Sequence, residues 1–250
     1  PQVRPSGCHL FFKRVDEIEV PEYGIFDAYF NRNSLPYAKL YGLEDAKNLV
    51  RGTLRKKGFC DAWHLLIQTG LTYSEEVLDL RGKTKRDFIE MFLPGNSGDA
   101  SIEERWAELL NVSPHCEEFQ NLVWLGLLEE APVPVEQGTP AEVMKAILVD
   151  KLAMQPDDKD LIVMVHFFEF EINGNKQVRK SYLTLEGEDS RKTAMAKTVG
   201  LPLGIATGLL MKGELNLTGV HLPMHSDIYE PLLEELKRYG IIFREVDYEQ

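Results

Sequence analysis

Cysteine is scarce: Cys8, Cys60 and Cys116 are odd in number and far apart in 250 residues. That excludes the dense, paired framework of a small secreted disulfide scaffold and fits reduced thiols in a cytoplasmic protein. Long apolar runs are missing too. The longest candidate, LPLGIATGLLM, falls short of the roughly 20 residues of a bilayer span and contains Gly and Pro, so no membrane partner is expected. Positive charge is in the minority, with 28 Lys and Arg against 40 Asp and Glu for a net charge of -12. Such a balance lacks the broad basic face that neutralises phosphates, so no nucleic-acid partner is expected. A signal peptide, internal repeats and low-complexity segments are also lacking. Because the chain opens on Pro1 rather than Met, it is expected to be a processed or excised piece of something longer.

What remains is the composition of an ordinary globular protein, 44% hydrophobic and 27% charged, long enough for one large domain or two small ones. Within that acidic chain the stretch from Ile25 to Phe59 reverses sign. Between Asn31 and Cys60 lie seven basic residues, Arg32, Lys39, Lys47, Arg51, Arg55, Lys56 and Lys57, against only Glu44 and Asp45. The segment NLVRGTLRK is β-branched and bounded by turn-like GLEDA and Gly58, which predicts a strand. Alternation then puts Arg51, Thr53 and Arg55 on one face and Val50 and Leu54 on the other. Two guanidinium forks and a hydroxyl on one face suit a small ligand with more than one carboxylate, because Arg binds carboxylates bidentately and stays charged when desolvated. Arg32, at the end of the strand-like IFDAYF, is placed to supply a third donor. Against this stands the plainer reading of a solvated basic face, whose exposed ion pairs contribute about 0 to 1 kcal/mol each.

The rest of the chain reads as scaffold. CHLFFKRVDEIEVP carries one or two strands, IFDAYF another, and Ser34 to Asp45 a loop or short helix. FCDAWHLLIQT is a helix closed by Gly70. TKRDFIEMFL, SIEERWAELL and SPHCEEFQNLVWLGLL are consecutive amphipathic segments, and Thr139, Pro140 and Glu142 open a further helix through a capping box. DLIVMVHFFEFEI and KQVRKSYLTL flank Asn173-Gly174, the strongest hairpin signal in the chain. SRKTAMAKTV and LGIATGLLMK are two helical stretches separated by a break at Gly200-Leu201-Pro202. Ser226 caps a last helix before the strand IIFREVDY. The expected class is α/β in the broad sense, α+β in detail: a mixed β-sheet, an inserted all-helical subdomain and C-terminal helices. The boundaries are residues 1–80 for the first part of the sheet domain, 81–156 for the helical subdomain and 157–250 for the completing hairpin, helices and strand.

Catalytic constellations are sparse. No GxGxxG follows a strand, and the series Gly200, Gly204 and Gly208 falls in helical pattern, where it is expected to let another element approach closely. No dinucleotide site is therefore expected in this chain. His221 and His225 have helical metal-ligand spacing, but Pro223 intervenes and no further ligand completes a set, so no metal is expected. His115 beside Cys116 points apart on a helix. His64 and His166 sit in apolar runs and read as core histidines. Tyr29, Phe30 and Phe59 flank the basic strand and are expected to fill the core between sheet and helix.

The ordered motifs NRNS, LYG and RGTLRxKGF, then WLGLL at Trp124 to Leu128, DKDLIVM at Asp158 to Met164, AMAKTVGLPLGIAT at Ala194 to Thr207 and YEPLLEELKRYGI at Tyr229 to Ile241, resemble the glutamate-forming saccharopine dehydrogenase family. The resemblance runs from about Gly24 to the end. It implies a three-part enzyme: an N-terminal Rossmann domain that binds NADP, a mixed-sheet substrate and dimerisation domain, and a small helical domain. This chain is similar to the latter two. It further implies that Arg32, Thr53, Leu54 and Arg55 contact saccharopine, which is oxidised by NADP and hydrolysed to L-glutamate and 2-aminoadipate 6-semialdehyde in lysine metabolism, or formed in reverse. No catalytic or cofactor-binding residue is assigned to this chain, so alone it is expected to be inactive. Asn33 stands where the family usually has Asp and Lys56 where it commonly has an aromatic, and both bear on substrate preference. A cytoplasmic homodimer is expected, with a non-catalytic dimerisation or regulatory domain binding an anionic amino acid as the alternative.

Overall fold

The computed structural model describes residues 15–31, 33–95 and 98–249. Cys8, Arg32 and the first half of the expected strand segment CHLFFKRVDEIEVP lie outside them. The chain divides into two units, Pro1–Ala153 and Met154–Gln250. Each combines helices with antiparallel strands, the α+β class expected. Every described strand pair is antiparallel, and each unit closes its own three-stranded sheet.

In the first unit β1 (Asp16–Val20), β2 (Gly24–Phe30) and β3 (Gly52–Lys56) pair in that order. A short helix, α1 (Pro36–Leu40), occupies the expected loop between β2 and β3. β3 is shorter than the spacing predicts, because a strand persists only where a neighbour accepts its hydrogen bonds. β2 ends at Phe30, and only the Arg51 carbonyl reaches further, accepting from the Asn31 N–H at 3.0 Å, while Val50 is exposed.

Helix α2 (Phe59–Thr69) leaves β3 through Gly58 and closes on Gly70, whose φ of 92° is the left-handed C-cap that glycine adopts without strain. Beyond two-residue β4 (Leu78–Asp79) come α3 (Lys85–Glu90), α4 (Ile102–Leu110) and α5 (Glu117–Trp124). Two-residue β5 (Gln137–Gly138), paired with β4, precedes α6 (Pro140–Lys151). Reciprocal capping boxes start three of these helices, Thr84 with Asp87, Ser101 with Glu104 and Thr139 with Glu142. The helices meet in one core that includes Leu65, Phe88, Trp106, Phe119 and Val143. Trp106 and Phe119 cross edge to face at 5.3 Å, and the Trp106 indole N–H donates to Thr69 Oγ1 at 2.8 Å. The C-terminal end of α2 is thereby tied into the helical core.

The second unit is built on a hairpin of β6 (Leu161–Ile172) and β7 (Asn175–Glu186), turned by Asn173 and Gly174 at φ 54° and 83° as a type I′ turn requires. β8 (Arg244–Glu249) pairs with β7. Two helices, α7 (Ala194–Met211) and α8 (Ser226–Lys237), complete it. The expected break at Gly200-Leu201-Pro202 is absent, for α7 runs through Pro202. Proline there deletes one backbone hydrogen bond, but Leu201 and Ile205 on either side of it both pack against Leu183, Leu236 and Ile241. Tertiary packing thus overrides the local helix breaker. The uninterrupted helix has 18 residues and a mean hydropathy of 1.4, long and apolar enough by length and composition to cross a membrane. Among the described residues nothing approaches Gly200, Gly204 or Gly208: a Cβ at each meets nothing within 4 Å.

The N-terminus of α7 is held by Asp160, whose carboxylate accepts from Ala194 N at 2.6 Å and Met195 N at 2.8 Å. Buried Gly187 is pressed against this junction; a Cβ there would collide with Asp160 Oδ1 and lie 3.0 Å from Ala194 N. Gly187→Ala is therefore expected to cost about 1 to 3 kcal/mol by overpacking, read as a lower urea midpoint. An unchanged midpoint would refute this account of the junction.

Candidate functional site

Register decides which side chains of the basic stretch meet. Arg55 pairs with Asp27 and Thr53 with Tyr29 across β2 and β3, and Asp27 pairs with Glu17 across β1 and β2. Residues directly opposite share a sheet face, so Arg55, Thr53, Tyr29, Asp27 and Glu17 lie on one side. Leu54 and Lys56 lie on the other with Ala28 and Phe26. The expected grouping of Thr53 with Arg55 is present. Arg51, just outside β3, has its guanidinium over the Tyr37 ring of α1 at 5.9 Å. Arg32 is outside the described residues.

Leu54 turns its side chain away from that face, but its backbone is placed differently. The Asn31 N–H bonds the Arg51 carbonyl and the Lys57 N–H bonds the Ile25 carbonyl at 3.3 Å, so odd-numbered β3 residues form the hydrogen-bonded pairs. The N–H and C=O of Leu54 therefore project from the outer edge of β3, which with β1 is one of the two edge strands of this sheet among the described residues.

Asp27, only 5% exposed, is the anchor of this face. Its Oδ2 accepts from Gly58 N at 3.1 Å and Cys60 N at 3.2 Å, supplying from β2 the cap that α2 lacks, since Gly58 has no side chain to offer. Asp27 is thus committed to the helix. Among the described residues neither Arg51 nor Arg55 forms an ion pair with a carboxylate. The Arg55 guanidinium instead lies over the Phe59 ring at 5.3 Å, and Phe59 stacks on Trp63 at 5.7 Å. A guanidinium on an aromatic face keeps its in-plane N–H donors for a planar acceptor.

The neighbouring lysines are more occupied. Lys57 bonds Glu17 at 2.8 Å, which holds its ammonium above the usual range. Lys56 donates to the Tyr23 carbonyl at 2.8 Å and sits 4.6 Å from the Phe26 ring centroid. Partial burial first, then the carboxylates of Asp27 and Glu118, raise Asp61 in the first turn of α2.

Three features went unread in the sequence. Asp27 was the main one, and its signal was an acid in the middle of the apolar strand IFDAYF. Tyr37 beneath Arg51 gave none beyond composition. Phe59 and Phe30, expected in the core, are exposed. Phe59 opens α2 under Arg55 rather than between sheet and helix, while the buried positions of the helix are Cys60, Leu65, Leu66 and Thr69.

Antiparallel sheets and a glycine series inside α7 do not fit the strand-to-helix phosphate cradle of a dinucleotide site among the described residues. The fold and the face together define an α+β domain with a cationic strand edge. The family model of the saccharopine dehydrogenase C-terminal domain matches residues 2–241, and the chain belongs to that family. It is 33% identical over 222 residues to the mitochondrial alpha-aminoadipic semialdehyde synthase of Rattus norvegicus, covering 87% of this chain and 24% of that protein. It is 28% identical over 241 residues to the saccharopine dehydrogenase (NADP(+), L-glutamate-forming) of Pyricularia oryzae, covering 88% of this chain and 51% of that one. The apo histidine-tagged saccharopine dehydrogenase (L-Glu forming) from Saccharomyces cerevisiae has the same fold, with a TM-score of 0.83 and 24% identity over 95% of this chain and 55% of that one. The chain thus spans about a quarter of the rat protein and about half of the fungal ones.

Removing the Asp27 carboxylate strands two N–H groups at the start of α2, so Asp27→Ala is expected to cost about 1 to 3 kcal/mol in urea unfolding; a smaller loss would show that the cap is dispensable. Burial, then Asp27, pushes the Cys60 thiol up to about 12 from its ordinary 9.0. Between those values the unfolded chain sheds a proton that the folded chain keeps, so this group's contribution to stability falls as pH rises from 9 toward 12. Iodoacetamide at pH 8.5 should spare native Cys60 and modify it after unfolding in urea, read by peptide mass; rapid modification of the native chain would contradict its burial.

Proposed function

We propose that this chain is the substrate-binding part of a saccharopine dehydrogenase, which oxidises saccharopine with NADP and water to L-glutamate and 2-aminoadipate 6-semialdehyde, the hydride leaving on NADPH with release of a proton, or runs the reverse, in lysine metabolism. The observation that carries the reading is the face of β3, where Arg55 stands on an aromatic ring without a carboxylate partner beside Thr53. Saccharopine and glutamate are carboxylated amino acids, and a guanidinium fork with a nearby hydroxyl binds a carboxylate with direction as well as charge. Arg55 and Arg32 hold carboxylates, the Thr53 hydroxyl orients one of them, and the outward N–H and C=O of Leu54 meet the ligand's polar backbone. The two relatives named as saccharopine dehydrogenases support the substrate.

NADP supplies the hydride chemistry from the N-terminal portion of the parent enzyme, since the residues described here do not fit a nucleotide cradle. The parent is a cytoplasmic homodimer with neither nucleic-acid nor membrane partners; the thiol of Cys60, the acidic net charge and an unpaired sheet edge support those assignments.

Calorimetry tests the site. Saccharopine is expected to bind the wild-type chain, with affinity falling at least about tenfold in Arg55→Ala, or about 1.4 kcal/mol. Arg55→Lys should recover only part, because a point charge replaces a fork. Equal binding by Arg55→Ala, or no binding by wild type, would favour a dimerisation or regulatory domain instead.

A further inference from the structure

A helix that is apolar on all sides belongs in an interior. Lys197 is the only charged residue of α7, yet half of the helix surface has no cover. The covered side packs through Leu201, Ile205 and Leu209 onto Leu183, Leu215, Ile228, Leu232 and Leu236. On the other side Met195, Val199, Leu203 and Leu210 fall within about 80° of helix arc at 3.6 residues per turn. All four are exposed, Leu203 at 72%. Gly200 and Gly204 lie on the same uncovered half of the helix, beyond the Leu203 edge of this stripe, with nothing near their Cβ positions among the described residues, so an incoming backbone can approach closely there.

The helix makes an unsuitable bilayer span, because its covered side is joined to α8, whose Glu230, Glu234, Glu235 and Lys237 would have to enter the lipid with it. A charge-free face 18 residues long instead has the composition of a permanent boundary between parts of one protein. The relatives provide such a part: the match covers 51% of the Pyricularia oryzae protein and 55% of the Saccharomyces cerevisiae chain, so a comparable length lies outside it. We infer that the exposed face of α7 is the docking surface for the nucleotide-binding half of the enzyme. This rests on the function proposed above and adds where the two halves meet.

The test mixes the 250-residue chain with the separately produced part of the Pyricularia oryzae protein that lies outside the match, used only after a cooperative urea transition and NADP binding show that this part is folded. Sedimentation velocity is expected to detect a one-to-one complex whose affinity falls at least tenfold in Leu203→Asp and in Gly204→Leu. Both variants should keep the wild-type affinity for saccharopine, and Gly204→Leu should melt no lower than wild type, because it replaces a helix-interior glycine where space is open. Failure of the wild-type chain to bind that half, or equal binding by the two variants, overturns the inference. So does a dimer of the chain itself that both substitutions dissolve, or flotation of the wild-type chain with phosphatidylcholine and phosphatidylserine vesicles that Leu203→Asp abolishes. If the complex forms as expected while saccharopine does not bind, the substrate assignment fails and the docking surface stands.

Discussion

The Asp27 carboxylate is the joint on which the first unit turns. Two hydrogen bonds from Gly58 and Cys60 lock the start of α2 to the middle of β2, and the other end of the helix is locked by Thr69, which donates to the Leu65 carbonyl and accepts from Trp106. Sheet and helical core are thus bridged by one rigid rod. Because the rod begins where β3 ends, Phe59 is delivered beneath Arg55 without further adjustment. The carboxylate across the strand pair from Arg55 bonds the helix, and among the described residues the guanidinium is left without an ion-pair partner.

Elements with local chemical signatures were legible in the sequence. Asn173-Gly174 demanded a tight hairpin and Thr139 with Glu142 a helix start, and both stand where expected. Gly70 likewise ended α2. Features set by distant partners were hidden. β3 stops at Gly52 because β2 has ended, which no property of Asn48 to Arg51 reveals. Pro202 reads as a break until Leu201 and Ile205 are seen held by Leu183, Leu236 and Ile241.

The candidate site divides along the same line. The alternation of Thr53 and Arg55 is a local property and survived folding. Leu54, included through resemblance to a motif, has its side chain on the opposite face and its N–H and C=O on the outer edge of β3, a placement that depends on which strand is at the edge. An acid in an apolar strand marks the Asp27 position, but its role was hidden because it lies in two N–H groups more than thirty residues away.

An uncovered strand edge is also a hazard, since another chain can zip onto its open N–H and C=O groups and seed fibrils. Lys56 and Lys57 bracket the end of β3 with charge that any added strand would have to approach. The positive charge at the end of β3 therefore guards that edge against polymerisation, a colloidal role separate from the Arg55 guanidinium on the face of the same strand.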